Sequence, residues 1–452
     1  MSLKDFIESQ SDISSYKIVD NILYYSSIDK PDDFASNDSK FWGKLFDISY
    51  QKMESRKNST KSTEVWKSSY DNSFIPKEEM VEWLNNSISR IKKLLNKDSK
   101  VLEIGSGNGL IFESIIDHVN KYVGTDIADK GLNLIAKCKK GKLNKDKIEL
   151  YKIDALNIDK LSDQKFDLII INSVAQYFPG LDYMFNVIKK LEQFTGRNSH
   201  IFLGDIRSYE LQKLFYFDII KKKFPKISNT DLINKISSLE KRENETFYQI
   251  KLFKLFPNFF NFINSSCIEL KDGIFKNELN MYRYDVTLIC NNTQQDRLST
   301  KSFSWKVLKN PEIEITEKLK KLRNNEVLEI INIPNRRFAN LEDEYSFFVN
   351  NSELIQTSFK SNTLSFLSEL AIRENSFIQT IFIEEDIFKF TAQFCKTKTF
   401  NSPNSTKKID FKLLSNKFFE KKSLEDIEFE ESILIKFPKL KCIKLSNLLL
   451  SN

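Results

Sequence analysis

At 452 residues, with 40% apolar and 13% aromatic residues, the chain can bury a sizeable core and is expected to fold as two or three domains, or as one large domain with additions, and not as a disordered protein. A net charge of +7 is modest for this size, and Lys and Asn are spread throughout, so no focused basic patch points to nucleic acid as a partner. Five scattered cysteines without a C-x-x-C pair, only two histidines, an N-terminus ("MSLKDFIESQSD") without an apolar core and no run near the ~18 apolar residues of a membrane span argue against a disulfide framework, a metal centre, a signal peptide and a membrane anchor, and favour a cytoplasmic protein.

Residues 1–60 are polar, with scattered aromatics ("FWGKLFDISY"), and read as short helices leading into a core. From 78 to 96, Met80, Trp83, Ile88, Ile91, Leu94 and Leu95 recur at helical spacing, an amphipathic helix broken by "KDSK". Five β-rich runs follow, "KVLEIG", "KYVGTDI", "IELYKIDA", "FDLIIIN" and "HIFLGDI", alternating with segments of helical spacing. That alternation predicts a doubly wound, Rossmann-like α/β fold with a parallel sheet. Residues 209–265 are long, aromatic and helical and read as an inserted cap, after which "NELNMYRYDVTLIC" returns to strand character and closes the sheet near Cys290. The expected organisation is an N-terminal helical extension (1–60), a central domain (61–292) and a small C-terminal α/β subdomain with a tail (293–452).

The chemistry starts at "VLEIGSGNG". Gly105, Gly107 and Gly109 stand between a strand and a helix, where a tight turn must let a ligand approach without a Cβ in the way. A pyrophosphate-binding fingerprint would place a third small residue at position 110, but Leu110 is there. Asp126 ends the second strand, where a carboxylate can accept hydrogen bonds from ribose hydroxyls, and Asp154 ends the third, suited to an adenine edge. An adenosine ligand without phosphates fits these positions best, and S-adenosylmethionine is such a ligand.

In these features the chain resembles the class I S-adenosylmethionine-dependent methyltransferases. In "EVWKSSYDNSFIPKEEMVEW" (64–83), "INSVAQYFP" (171–179), "FLGDIRSYEL" (202–211) and "NELNMYRYDVTL" (277–288) it more narrowly resembles the N-methyltransferase domains of nonribosomal peptide synthetases. The resemblance spans about residues 60–345. It implies a Rossmann-like methyltransferase sheet and a cofactor set of Glu103, Gly105, Ser106, Gly107, Gly109, Asp126, Ile127, Asp154, Ala155, Asn172 and Ser173. It also implies a post-strand cofactor and substrate loop at Asn172 to Tyr177. Those domains normally lie within an adenylation domain, for which this chain has neither room nor motifs. The expectation is a free-standing enzyme that meets an aminoacyl or peptidyl substrate, held by a carrier protein or synthetase, in trans.

Nitrogen is the expected acceptor. An alcohol needs a strong base, and neither His118 nor His200 is placed to act as one, whereas an α-amino group with a pKa of ~8 needs only an acceptor for its hydrogen and a fixed aim. Asn172, Ser173, Gln176 and Tyr177 can supply that environment. Asp205 is the expected carboxylate for the amine and Arg207 its orienter, the alternative being a structural Asp205–Arg207 ion pair. Trp66, Tyr70 and Glu79 are expected in a lid or, alternatively, in a helix packed on the sheet; Asn277, Glu278 and Arg283 are expected along the acceptor channel. Two other readings stand beside this one: a methyltransferase for a free small amine, and an idle methyltransferase-like binding subunit.

Overall fold

The computed structural model describes residues 7, 13–19, 22–27, 33–55, 66–139, 145–161, 163–292, 298–350, 363–383, 386–396, 414–417 and 441–444. The beginning of the "EVWKSSYD" block, Glu64 and Val65, lies outside them.

The centre is a seven-stranded sheet. β3 (Lys100–Ile104), β4 (Lys121–Asp126), β5 (Ile148–Lys152), β6 (Phe166–Asn172) and β7 (Thr195–Arg207) run parallel, in the spatial order β5-β4-β3-β6-β7. β9 (Arg283–Cys290) then pairs antiparallel with β7, and β8 (Ile263–Leu270) antiparallel with β9 at the edge. The parallel strands are near-continuous apolar runs, as strands covered on both faces must be; Val101, Leu102, Leu168, Ile169, Ile170 and Ile201 are fully buried. Order reverses beside β3, so the carboxyl ends of β3, β4 and β6 open a crevice there. This is the predicted doubly wound sheet, its closing strand at Cys290 included, with one strand, β8, that was not read from the sequence.

Three expectations change. The N-terminal segment forms not short helices but a hairpin, β1 (Ile13–Val19) and β2 (Ile22–Ser27), followed by one long helix, α1 (Asp33–Ser55). In "ISSYKIV" and "ILYYSS" β-branched and aromatic residues dominate, which favours strands. The segment 209–265 does hold three helices (Gln212–Lys223, Asn229–Arg242, Ile250–Phe259), but its end enters β8, whose serines and asparagine dilute the apolar alternation of an edge strand. The strand expected from Asn277 begins only at Arg283. Asn277 instead caps a helical turn, Glu278–Met281, its Oδ1 accepting the N–H groups of Leu279 and Asn280, each at 3.0 Å.

The C-terminal part builds a second sheet, in the order β10 (Ser299–Ser304), β11 (Glu326–Pro334), β13 (Asp386–Cys395), β12 (Phe377–Ile383). It shares one hydrophobic core with the central sheet: Phe217 of the cap packs on Tyr345 and Phe348, and Tyr282 on Phe338. Side chains of β12 cover the open edge of β8, the N–H of Leu270 donating to Thr380 and that of Ile268 to Gln379. Finally β14 (Lys441–Lys444) joins the N-terminal hairpin, parallel to β2. No helix among the described residues is long and apolar enough to cross a membrane.

Candidate active site

A cleft opens at the carboxyl edge of the sheet, floored by the glycine turn. Gly105, Gly107 and Gly109 all take positive φ (75°, 55° and 86°), the left-handed region that L side chains avoid. At Gly105 a Cβ would stand 2.3 Å from Val174 Cγ2, so glycine is what lets the loop after β6 close against the turn. Gly109 packs behind, facing Ile135. The turn is tied to β4 because the amides of Gly105 and Ser106 both donate to the Thr125 carbonyl.

Asp126 faces this turn. Its Oδ2 accepts from the Gly107 amide at 2.7 Å and its Oδ1 from the Ala128 amide at 2.8 Å; burial pushes its pKa up to about 6 despite these bonds. Glu103 is buried beneath, accepting from the Tyr122 hydroxyl at 2.5 Å, and burial pushes it up to about 8. Both acids ionise less readily folded than unfolded. Each therefore favours folding fully below its unfolded pKa of about 4 and loses that contribution as pH rises through the folded value. The urea midpoint is expected to fall as pH rises from about 5 to about 8.5, and Glu103→Gln to flatten the upper half of that slope. An unchanged slope in the variant would remove Glu103 as its source.

Asp154 lines the cleft as well, although its carboxylate also caps the following turn through the amide and side chain of Asn157. Ile127, Ala155, Asn172 and Ser173 complete that wall. Asn172 does not aim its oxygen into the cleft: Oδ1 lies where a Cβ on Gly204 would stand, and its Nδ2 approaches Ser173 Oγ at 3.3 Å.

The roof came from a segment in which the sequence reading found no chemistry. Trp42, Phe46 and Tyr50 of α1 project from one face at a spacing of four and line the cleft, with Trp42 and Phe46 against the Tyr177 ring at 4.6 and 5.3 Å. That i, i+4, i+8 aromatic spacing was the available signal. Trp66 and Trp83 form the far wall; Trp83 is 4% exposed and its indole N–H has no partner among the described residues.

Behind Tyr177 lies a second cluster. Ser173 and Asp205, at the ends of neighbouring strands, both adopt positive φ (56° and 64°), a strained choice for residues with a Cβ. Asp205 Oδ2 accepts from Ser173 Oγ at 2.7 Å and from Arg283 at 2.5 Å, while its own amide donates to Asp285 at 2.7 Å. Asp285 is paired with Arg90 and with Lys271, all three buried. Asp205, 1% exposed, pairs with Arg283 through Oδ2, while its Oδ1 has no hydrogen-bond partner among the described residues and lies 4.0 Å from Lys271 Nζ. Nor do Asp205 and Arg207 pair with each other. Arg207 sits directly across β7 and β9 from Arg283, lies over the Phe247 ring at 3.8 Å, and pairs with Glu245 at 2.6 Å and Glu243 at 3.4 Å.

The remaining predicted residues tie the 66–75 loop down. Glu278 accepts from the amide and hydroxyl of Ser69, Tyr70 donates to Asp218, and Asn277 donates to Glu79. None of the four lines the cleft.

Residues 95–254 match the family model described as a methyltransferase domain. This segment is a methyltransferase domain. The chain is similar to chondramide synthase of Chondromyces crocatus, 31% identical over 242 residues that make up 53% of this chain and 6% of that protein. It is also similar to a nonribosomal peptide synthetase of Emericella nidulans, 34% identical over 251 residues, 53% of this chain and 10% of that one. The methyltransferase domain and its surroundings thus correspond to a tenth or less of these relatives. Among solved structures, the magnesium protoporphyrin IX methyltransferase of Synechocystis is 12% identical with a TM-score of 0.37, over 56% of this chain and 99% of that one.

Proposed function

We propose that this methyltransferase uses S-adenosylmethionine to methylate the amino group of an aminoacyl or peptidyl substrate, carried on a carrier protein during nonribosomal peptide assembly. The observation that carries the reading is the glycine turn facing the Asp126 carboxylate under an aromatic roof. The positive-φ glycines leave room for a ligand, and an unpartnered donor, Trp83 Nε1, stands in the same cleft wall. Gly105, Gly107 and Ser106 would floor the site, Asp126 would take ribose hydroxyls, Asp154 and Ala155 the base, and Trp66 and Trp83 the far end.

When bound, the cofactor supplies an electrophilic methyl group on a sulfonium. The chain's own part is positioning. Tyr177, packed against Trp42 and Phe46, walls the cleft where an acceptor nitrogen would arrive, and Ser173 and Gln176 flank it. An α-amino group with a pKa of ~8 is partly neutral near pH 7, so orientation and a hydrogen-bond acceptor suffice. The similarity to synthetases supports a tethered substrate.

The test is mass spectrometry of methyl transfer, offering aminoacyl-loaded carrier proteins beside the matching free amino acids. A gain of one methyl on the carrier-bound amine alone is expected. Methylation of the free amino acids alone would refute the tethered substrate, and no cofactor binding would refute the reading as a whole.

A further inference from the structure

We infer that Glu245 is the carboxylate that receives the acceptor's amine, held in place by Arg207; the inference rests on the methyltransferase reading above. Four carboxylates surround the arginine pair behind Tyr177. Asp205 has Oδ2 on Arg283 and Ser173, and its Oδ1, which has no hydrogen-bond partner among the described residues, is buried 4.0 Å from the Lys271 ammonium. Glu278 has one oxygen on the Ser69 amide and the other on its hydroxyl. Glu243 has one oxygen on the Glu245 amide and the other on the Tyr216 hydroxyl and Arg207. Glu245 differs in keeping an available oxygen on a side chain that is 26% exposed: Oε2 meets Arg207 at 2.6 Å, and Oε1 has no partner among the described residues.

Its place beside the cleft is set by backbone geometry. The amide of Thr246 donates to the Gln176 carbonyl at 2.7 Å and its hydroxyl to the Phe178 carbonyl at 2.6 Å, so the Glu245–Thr246 step lies against the residues on either side of Tyr177, whose ring lines the cleft. Glu245 accordingly ranks next to burial among the groups that push the Tyr177 phenol up. A strap from the C-terminal part fixes it from outside: Asn416 accepts from the Phe247 amide at 2.7 Å and donates to the Glu245 carbonyl at 3.1 Å.

Arg207 and Arg283 against Asp205, Glu243, Glu245 and Glu278 leave this corner two negative charges in excess, which suits an arriving amine. The nitrogen lone pair forms the new N–C bond as the C–S pair withdraws onto sulfur, leaving a neutral thioether. The nitrogen is then a secondary ammonium, and one of its protons passes to Glu245 Oε1 and on to solvent, restoring the carboxylate.

The full chain and its Glu245→Gln variant would be assayed with N-acetylcysteamine thioesters of glycine, alanine, valine and phenylalanine. Binding of S-adenosylhomocysteine would be followed by calorimetry, with Asn416→Ala as a positioning variant. Glu245→Gln is expected to keep its affinity for the product cofactor within about threefold, while kcat falls about 100-fold or more. Asn416→Ala should raise KM with a smaller effect on kcat. A Glu245→Gln variant that turns over within about threefold of wild type overturns the inference. So does a wild-type protein that binds the product cofactor but methylates none of the four thioesters. Failure of the wild type to bind that cofactor would instead strike the proposed function itself.

Discussion

Asp285→Ala should lower the unfolding free energy by about 3–5 kcal/mol, the usual cost of stranding buried charges by removing one partner. Asp285 pairs with Arg90 at 2.5 Å and Lys271 at 2.8 Å, and it also accepts the Asp205 amide. Burial alone would make Asp285 harder to ionise, yet the two cations hold its carboxyl below the ordinary carboxylate value. Its loss leaves an ammonium and a guanidinium short of their anion and frees the strained Asp205 backbone. Urea unfolding of the variant and wild type measures the difference. A change below about 1 kcal/mol would mean that water or rearranged partners replace Asp285, and that the cluster does not stabilise the end of β7.

Asp126→Ala should weaken binding of S-adenosylmethionine or its demethylated product by about 100-fold or more while the chain stays folded. Two hydrogen bonds to a charged acceptor are each worth about 1.5–3 kcal/mol, and the same carboxylate anchors the Gly107 and Ala128 amides that shape the turn. Calorimetric titration with S-adenosylhomocysteine decides the matter, the melting transition serving as the control for folding. Unchanged affinity in a folded variant would detach Asp126 from the ligand.

The glycine turn and Asp126 were legible from the sequence because everything that makes them recognisable is local: a buried apolar strand, glycines at positive φ, and an acid closing the next strand. The parallel sheet was legible for the same reason. β8 was not, because an edge strand with Asn264, Ser265 and Ser266 in it lacks the apolar run that marked its neighbours, and its outer side is completed by Gln379 and Thr380 from far along the chain. Asp205 and Arg207 were picked out as a pair by proximity in sequence, but the strand sends them to different partners. Arg283 arrives from 78 residues away and Glu245 from 38, distances over which no local pattern links a charge to its counterion. The aromatic roof escaped because Trp42, Phe46 and Tyr50 have the spacing of any helix that packs against something; only the fold tells what lies underneath.

That roof bears on the pace of the cycle. A ligand lying in the cleft is covered by rings from α1, which Asp47 fastens to the Lys130 amide and which packs Tyr50 on Ala128 and Leu134. For spent donor to be exchanged for fresh, these rings must lift away from Tyr177 and the Asp47 tether must slacken. Exchange would then keep the time of a local opening of the N-terminal helix and not of diffusion.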